Sequence, residues 1–564
     1  MAGILALAWV PVTAVAQEVV SGQSLATGAK MMAVTPHPAA TQAAYDMLAR
    51  GGTAADAAIA AQWVLGVVTP QSTGPGGGGF ALYYDAATRK TASYDGRETA
   101  PKMAGQYMFR GGDGNPMKFY DAAVGGRAVG VPGVPALMEK LHAAHGRLSW
   151  RDLFSPAITT AETGFEVSPR LADEVRIARA RLRHDTDAQL HFMPDSSTPV
   201  PAGYILQNAK YAAMLRDMAI NGTGSFYKGA LAEEIVKTVR EDKNPGMMSP
   251  EDMAAYKVVE RPPVCAPYRA YRVCSVGEPS SGGLTLLSIL GMIQHFDLPS
   301  MGPNDPKSWH VMGEASRLAF ADRNYYMADP DKVKTPGTAL IDPAYLTARA
   351  KLISGDAPMK SAMPGKPPGW TGAPAAPDAA TPPPGTSHIS IVDGYGNAIS
   401  MTTSIESAFG SHVMVSGFLL NSQLTDFSFE PDHEGKPVAN RVQGGKRPRS
   451  SMAPVIVFDA AGVPVLMIGS AGGSAIIGYI LERIVAVLDW GLPVDTALSI
   501  SNVIQRGNGF EIEETAGTLG EKIKALGHPV TMKPLDSDII AIHRQDGVYI
   551  GAADPRREGT AKGM

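Results

Sequence analysis

A threonine placed directly after a proline-rich stretch, at the head of a strand, is positioned to become a nucleophile. Thr386 follows Gly385 at the end of segment 364–385, which is crowded with Pro, Ala and Gly, and opens the run Thr386-Ser-His-Ile-Ser. A threonine hydroxyl attacks poorly unless a base takes its proton. An α-amino group liberated on the same residue titrates near neutrality and is such a base. Cutting the chain before Thr386 creates nucleophile and base in one step; the alternative is that Thr386 simply begins a strand. Farther on, Gly472-Gly473 precede an apolar stretch, 475–488, with helical character. Unpaired amides at such a helix start can hold negative charge on an attacked carbonyl oxygen, although a tight strand-to-helix turn would also call for glycine.

The elements around these residues follow from local patterning. Segment 364–385 has no apolar period and reads as a linker. Behind it, 389–393, a Gly-Tyr-Gly-Asn turn and 398–403 predict a β-hairpin whose first strand begins at Thr386. A second hairpin is expected over 454–469, leading into 470–474 and the helix 475–488. Upstream, 39–68 predicts a helical hairpin broken at Gly51-Gly52, with Thr53 capping its second helix. Strands follow at 79–85 and 90–95, with Arg97 just past the second, then a long helical region from about 130 to 331 in which 279–283 opens a helix. Segment 510–554 alternates strand and helix patterns, and no internal repeat is present.

The chain has 564 residues, 45% hydrophobic and 18% charged, which describes a globular, enzyme-sized body. A formal net charge of −4 without a basic run leaves no footprint for nucleic acid or an anionic membrane. Residues 1–16 are apolar and end in Ala14-Val15-Ala16, a small-residue pattern of the kind signal peptidase accepts, so export is expected, with a buried N-terminal helix as the alternative. No later run approaches the length of a bilayer span, so no stable membrane insertion is expected. Cys265 and Cys274 suit facing positions across a short hairpin, either as a disulfide or as two buried thiols. The 12 histidines show no metal-ligand spacing, and neither a metal nor a cofactor is expected.

From Thr386 onward the motifs become specific: Thr386-Ser-His-Ile-Ser-Ile-Val-Asp393, Gly396-Asn-Ala398, Phe409-Gly410, Gly417-Phe-Leu-Leu-Asn-Ser-Gln-Leu-Thr-Asp-Phe427 and Lys446-Arg-Pro-Arg-Ser-Ser-Met452. Upstream stand Gly76-Gly-Gly-Gly-Phe80, Asp95-Gly-Arg-Glu-Thr-Ala-Pro101, Val129-Gly-Val-Pro-Gly133 and Pro279-Ser-Ser-Gly-Gly283. In this order they resemble the γ-glutamyltranspeptidases, N-terminal nucleophile hydrolases, over nearly the whole mature chain. The resemblance implies a mixed α/β (α+β) fold, a four-layer αββα sandwich, and maturation by self-cleavage between Gly385 and Thr386. A signal peptide (1–16), a large subunit (17–385) and a small catalytic subunit (386–564) would follow, the two subunits forming a heterodimer exported to the periplasm or secreted.

The same resemblance implies γ-glutamyl substrates such as glutathione. Their α-carboxylate and α-ammonium both need partners in a desolvated pocket, since an unpaired buried charge is costly. Arg97, Ser450 and Ser451 would hold the carboxylate; Asp426, Glu406 and Gln423 the ammonium. Gly472-Gly473 would form the oxyanion hole, and Ser404 would bond the Thr386 amino group and aid self-cleavage. Two departures stand out: Glu406 occupies a position where many members carry asparagine, and segment 429–445 is shorter than in members with a lid loop, which implies a more open pocket. A glutaryl-type cephalosporin acylase on the same scaffold is the nearest alternative, but its substrates lack the ammonium that Asp426 would serve. A secreted, non-catalytic binding protein is the second. A phosphate-binding reading of 76–79 lacks the Gly-Lys-Ser/Thr ending of a P-loop, and packing is the better reading of those glycines.

Overall fold

The computed structural model describes residues 23–373, 375–378, 385–507 and 509–564. The segment 1–16 expected to direct export, and 379–384 of the linker, lie outside the described residues.

Two seven-stranded antiparallel sheets carry the fold. Their strands, in chain order, are β1 (Leu25–Gly28), β2 (Met32–Thr35), β3 (Gly78–Asp85), β4 (Lys90–Gly96), β5 (Val259–Arg261), β6 (Val264–Tyr268) and β7 (Tyr271–Ser275). After the linker come β8 (Ser387–Val392), β9 (Ala398–Ser404), β10 (Val455–Phe458), β11 (Pro464–Gly469), β12 (Ile540–Gln545), β13 (Val548–Ala553) and β14 (Thr560–Gly563). One sheet has the order β14-β2-β8-β9-β3-β4-β5, the other β1-β13-β12-β11-β10-β7-β6. Both mix strands from either side of the linker, so neither half of the chain completes a sheet alone. The region expected to be helical over 130–331 contains three of these strands, β5 to β7, whose period-2 runs are too short to stand out between helices. Across β6 and β7, Cys265 and Cys274 face each other and are joined by a disulfide.

Alternation along the strands assigns the layers. In the first sheet, Ala81, Tyr83, Ile389, Ile391, Ile399 and Met401 pack outward against helices α1 (Pro38–Ala49) and α2 (Ala54–Val68). Phe80, Leu82, Tyr84, Val392 and Ala398 point the other way, onto Ile456, Phe458, Met467, Ile540 and Ile542 of the second sheet. The opposite face of that second sheet, through Val455, Val457, Leu466 and Ile468, packs on α3 (Gly282–Ile293), α4 (Pro306–Tyr326) and α5 (Ile476–Leu488). The result is a four-layer αββα sandwich, the arrangement a sheet pair adopts when all four apolar faces must be covered. Helix α2 is buried along its full length and starts at a reciprocal capping box, Thr53 with Asp56. Asp393, in the turn between β8 and β9, accepts from the Ala54 amide at 2.8 Å and so ties that helix start to the hairpin.

Candidate active site

β8 and β9 pair in a register that sets Ser387 against Thr403 and His388 against Thr402. One step further along the same register brings Thr386 opposite Ser404. Both are even-numbered positions of the hairpin, like Val392 and Ala398, whose side chains face the inter-sheet layer. Thr386 Oγ1 donates to Ser404 Oγ at 3.4 Å, and Ser404 Oγ donates to the carbonyl of Gly385 at 2.5 Å. The Glu406 amide donates to Ser404 Oγ at 2.8 Å, which fixes this hydroxyl with its proton turned toward the carbonyl. Gly385 fits because its backbone lies on that of Glu406 and Ser407, where any Cβ would collide. On the helix-facing side, Thr403, Gln62 and Thr73 close a buried triangle of side-chain hydrogen bonds beneath the same strand end.

Thr386, Gly385 and Ser404 line a cavity together with Glu406, Gln423, Asp426, Ser450, Ser451 and Gly473. Arg97 stands behind this wall, fully buried, and is ion-paired to Asp426 through Nη2. It also donates to the carbonyls of Pro448 and Arg449. The residue expected at the carboxylate end and the one expected at the ammonium end are thus held by each other. Glu98 lies 3.6 Å from Arg97 Nη1, yet neither carboxylate oxygen of Glu98 nor that nitrogen has a hydrogen-bond partner among the described residues. Burial pushes the Glu98 carboxyl up to about 8, with the Arg97 charge opposing. Gln423 Nε2 donates to Glu406 Oε2 and, at 3.2 Å, to Asp426 Oδ2, which brings the two carboxylates to one donor. Burial, followed by the neighbouring Asp426 charge, holds Glu406 well above the usual carboxylate range. Its backbone is in the left-handed region, φ 87°, where asparagine is tolerated far better than glutamate.

The serine pair is set by a bridge to 279–283. Ser280 and Ser450 form a parallel β-bridge, Ser281 Oγ donates to the Ser450 carbonyl at 2.6 Å, and Ser280 Oγ donates to the Met452 carbonyl at 2.5 Å. Ser450 Oγ accepts from the Met452 amide at 3.1 Å. Two arginines that sequence reasoning did not single out also line the cavity, Arg323 and Arg449. Arg449 is in the motif 446–452, so a signal for it existed; Arg323, inside α4, gave none. Arg449 pairs at 2.9 Å with Asp378, a buried residue of the linker. That segment forms no helix or strand among its described residues but is anchored at this point, seven positions before Gly385. Arg323 donates to Ser451 Oγ and Ser281 Oγ.

At the remaining wall, Gly473 lines the cavity at the start of a 3-10 turn that runs into α5. Gly472 is set behind it at φ 135°, with the Tyr479 ring 2.6 Å from where a Cβ would be, so both dihedral and space demand glycine. Sequence reasoning therefore brought Thr386, Ser404, Glu406, Gln423, Asp426, Ser450, Ser451 and Gly473 to one cavity, with Arg97 and Gly472 directly behind its walls. Among the described residues no group of His, Cys, Asp and Glu is arranged to hold a metal ion, and no helix is long and apolar enough to cross a membrane.

Similarity to known proteins covers the whole of this architecture. A family model described as Gamma-glutamyltranspeptidase matches residues 40–564. A glutathione hydrolase proenzyme of Bacillus subtilis (strain 168) is 33% identical over 545 residues, 94% of this chain and 91% of its own. The acylase ACY 1 proenzyme of Pseudomonas sp. (strain SE83) is 30% identical over 544 residues, 95% of this chain and 94% of its own. Among solved structures, the cephalosporin acylase from Bacillus halodurans aligns with a TM-score of 0.83 at 26% identity, covering 98% of this chain and 99% of that one.

Proposed function

The chain belongs to the gamma-glutamyltranspeptidase family, and from that premise we propose that it is a self-processing amidohydrolase that cuts itself between Gly385 and Thr386 and then cleaves γ-glutamyl amides such as glutathione. The observation that carries this reading is the Thr386–Ser404–Gly385 contact chain at the wall of a cavity that also holds paired carboxylates. In self-cleavage, Thr386 Oγ1 adds to the Gly385 carbonyl carbon while Ser404 bonds the oxygen. The Oγ1 proton passes to the Thr386 nitrogen as the C–N bond breaks, leaving an ester on Oγ1 and a free α-amine, and water then hydrolyses that ester to the Gly385 carboxylate and the Thr386 hydroxyl. In turnover that amine takes the proton from Oγ1, the hydroxyl attacks the γ-carbonyl, and the amide N–H groups at Gly472 and Gly473 bond the developing oxyanion. The leaving amine departs with a proton. Water then returns glutamate, or an amino acid or peptide amine takes the γ-glutamyl group.

Residues 17–385 and 386–564 remain together as large and small subunits, because each contributes strands to both sheets. The Cys265–Cys274 bond supports export to an oxidising compartment, the periplasm or the exterior. The shortened segment 429–445 supports an open pocket that admits bulky γ-glutamyl donors. A glutaryl-type acylase is the second reading, favoured by the pairing of Asp426 with Arg97, which already occupies one carboxylate. Glu406 and Gln423 beside it weigh toward a substrate that carries an ammonium. Intact-mass measurement of wild type and Thr386→Ala, with turnover of γ-glutamyl and glutaryl anilides, tests the proposal. A cleaved, γ-glutamyl-active wild type and a whole, silent variant are expected; an uncleaved and silent wild type would overturn it in favour of a binding protein, and preference for the glutaryl donor would favour the acylase.

A further inference from the structure

Three buried arginines surround the cavity's serine corner, and they are not equivalently partnered. Arg97 is held by Asp426, with Glu98 at 3.6 Å, and Arg449 by Asp378 at 2.9 Å. Arg323, 6% exposed and lining the cavity itself, has no carboxylate within ion-pairing distance among the described residues. Each of its three guanidinium nitrogens donates to a neutral oxygen: Nε to Ser281 Oγ, Nη2 to Ser451 Oγ and Nη1 to Asn324 Oδ1, each at 2.8 Å. A hydroxyl that accepts from a guanidinium keeps its own proton to give away, and the charge behind it strengthens that donation. Ser451 is in this state; Ser450 accepts from the neutral Met452 amide and likewise keeps its proton to donate.

We infer that Arg323 is the positioning residue for the donor's α-carboxylate: it turns the Ser451 hydroxyl into a polarised donor and adds positive charge behind the serine pair. The inference rests on the γ-glutamyl reading above. A buried cation without a counter-charge is unfavourable by itself, and the substrate carboxylate completes the pair that the protein leaves open. The charges facing Arg323 from neighbouring elements are Arg449, Asp378, Asp426 and Arg506; Arg449 Nη1 donates to the Arg323 carbonyl at 3.2 Å, and none of the four is hydrogen-bonded to the Arg323 guanidinium among the described residues.

The test compares two donors, γ-glutamyl anilide and its decarboxylated analogue 4-aminobutyryl anilide, on wild type, Arg323→Gln, Arg323→Lys and Ser451→Ala. For Arg323→Gln, the ratio of kcat/KM for the γ-glutamyl donor to that for the analogue falls about 30-fold, the change that ~2 kcal/mol of lost charge pairing represents, and the fall is carried by KM. Arg323→Lys recovers part of the ratio, and adding Ser451→Ala to Arg323→Gln lowers it little further, because the two act as one unit. An unchanged ratio, with both donors slowed alike or neither slowed, overturns the inference. If Arg323→Gln does not mature, Arg323→Lys decides by the same ratio, since it keeps the charge without the fork. A wild type that neither cleaves itself nor accepts the γ-glutamyl donor sinks the functional reading, and this inference with it; a competent wild type with an unchanged ratio in the variants sinks the inference alone.

Discussion

At the nucleophile end of the cavity, Thr386, Ser404 and the Gly385 carbonyl are neutral groups drawn from one hairpin and the residue before it. At the recognition end, Arg97 meets Asp426 across 329 positions of chain, and Arg323 meets Ser451 across 128. The first arrangement follows from strand register and loses little when one hydroxyl is removed, because nothing charged is left behind. The second is a set of mutually dependent buried charges, in which removing one group strands another. Chemistry and stability are therefore separable at one end and entangled at the other.

Ser404→Ala gives the largest expected effect on that contrast. Self-cleavage before Thr386 slows by about 100-fold or more, as loss of one preorganised donor to a developing oxyanion does. The unfolding free energy falls by only about 1 kcal/mol, the net worth of a neutral hydrogen bond. Time-resolved mass measurement and urea unfolding read the two quantities; a large stability loss would break the comparison. Asp426→Ala should do the reverse, costing about 3–5 kcal/mol of stability by leaving Arg97 buried without its hydrogen-bonded carboxylate, with Glu98 3.6 Å away, along with a higher KM for γ-glutamyl donors. Urea unfolding of Thr386→Ala with and without Asp426→Ala isolates the stability part from maturation.

A pH dependence sharpens the contrast further. The Glu98 carboxyl is raised from 4.5 to about 8 by burial, so the folded state holds its proton more tightly than the unfolded state does. Its contribution to stability is fully present below about 4.5 and is lost as pH rises through about 8. Glu98→Gln removes that fall, and the difference in unfolding free energy between wild type and variant should shift in the variant's favour across this window. A difference independent of pH would show Glu98 ionised in the fold. Glu406→Asn gives the smallest expected effect overall: relief of a left-handed glutamate adds roughly 1 kcal/mol of stability, while KM for γ-glutamyl donors rises because one carboxylate facing the ammonium is gone.

Much of the Thr386 end was legible in the sequence. The alternation in 389–393 and 398–403 fixes which residues share a face, and the turn between them fixes the register, so Thr386 and Ser404 meet by counting. The Thr53 cap of α2 was equally readable, since a capping box depends on four consecutive residues. The recognition end was legible only as a set of members. Arg97, Asp426, Glu406, Gln423, Ser450 and Ser451 could be named from their motifs, but their partners could not. Arg97 and Asp426, expected at opposite ends of a substrate, pair with each other. Arg323 carried no sign at all, because a single basic residue in a buried helix looks the same whether it meets a carboxylate, a hydroxyl or a ligand.

By itself the sequence determined the strands and helices flanking the linker, and that the linker gives way to a strand just after Gly385 and Thr386. Each of these depends on neighbours within a few positions, through dihedral preference, period and capping. Tertiary structure alone decided that Arg97 meets Asp426 while Arg323 meets hydroxyls, that Asp378 of the linker anchors to Arg449, and that the Glu98 carboxyl is buried without a hydrogen-bond partner among the described residues. Those outcomes depend on which loops meet when the two sheets close. The energy of a charge is set by its burial and its partners, and neither is a property of the residue that carries it.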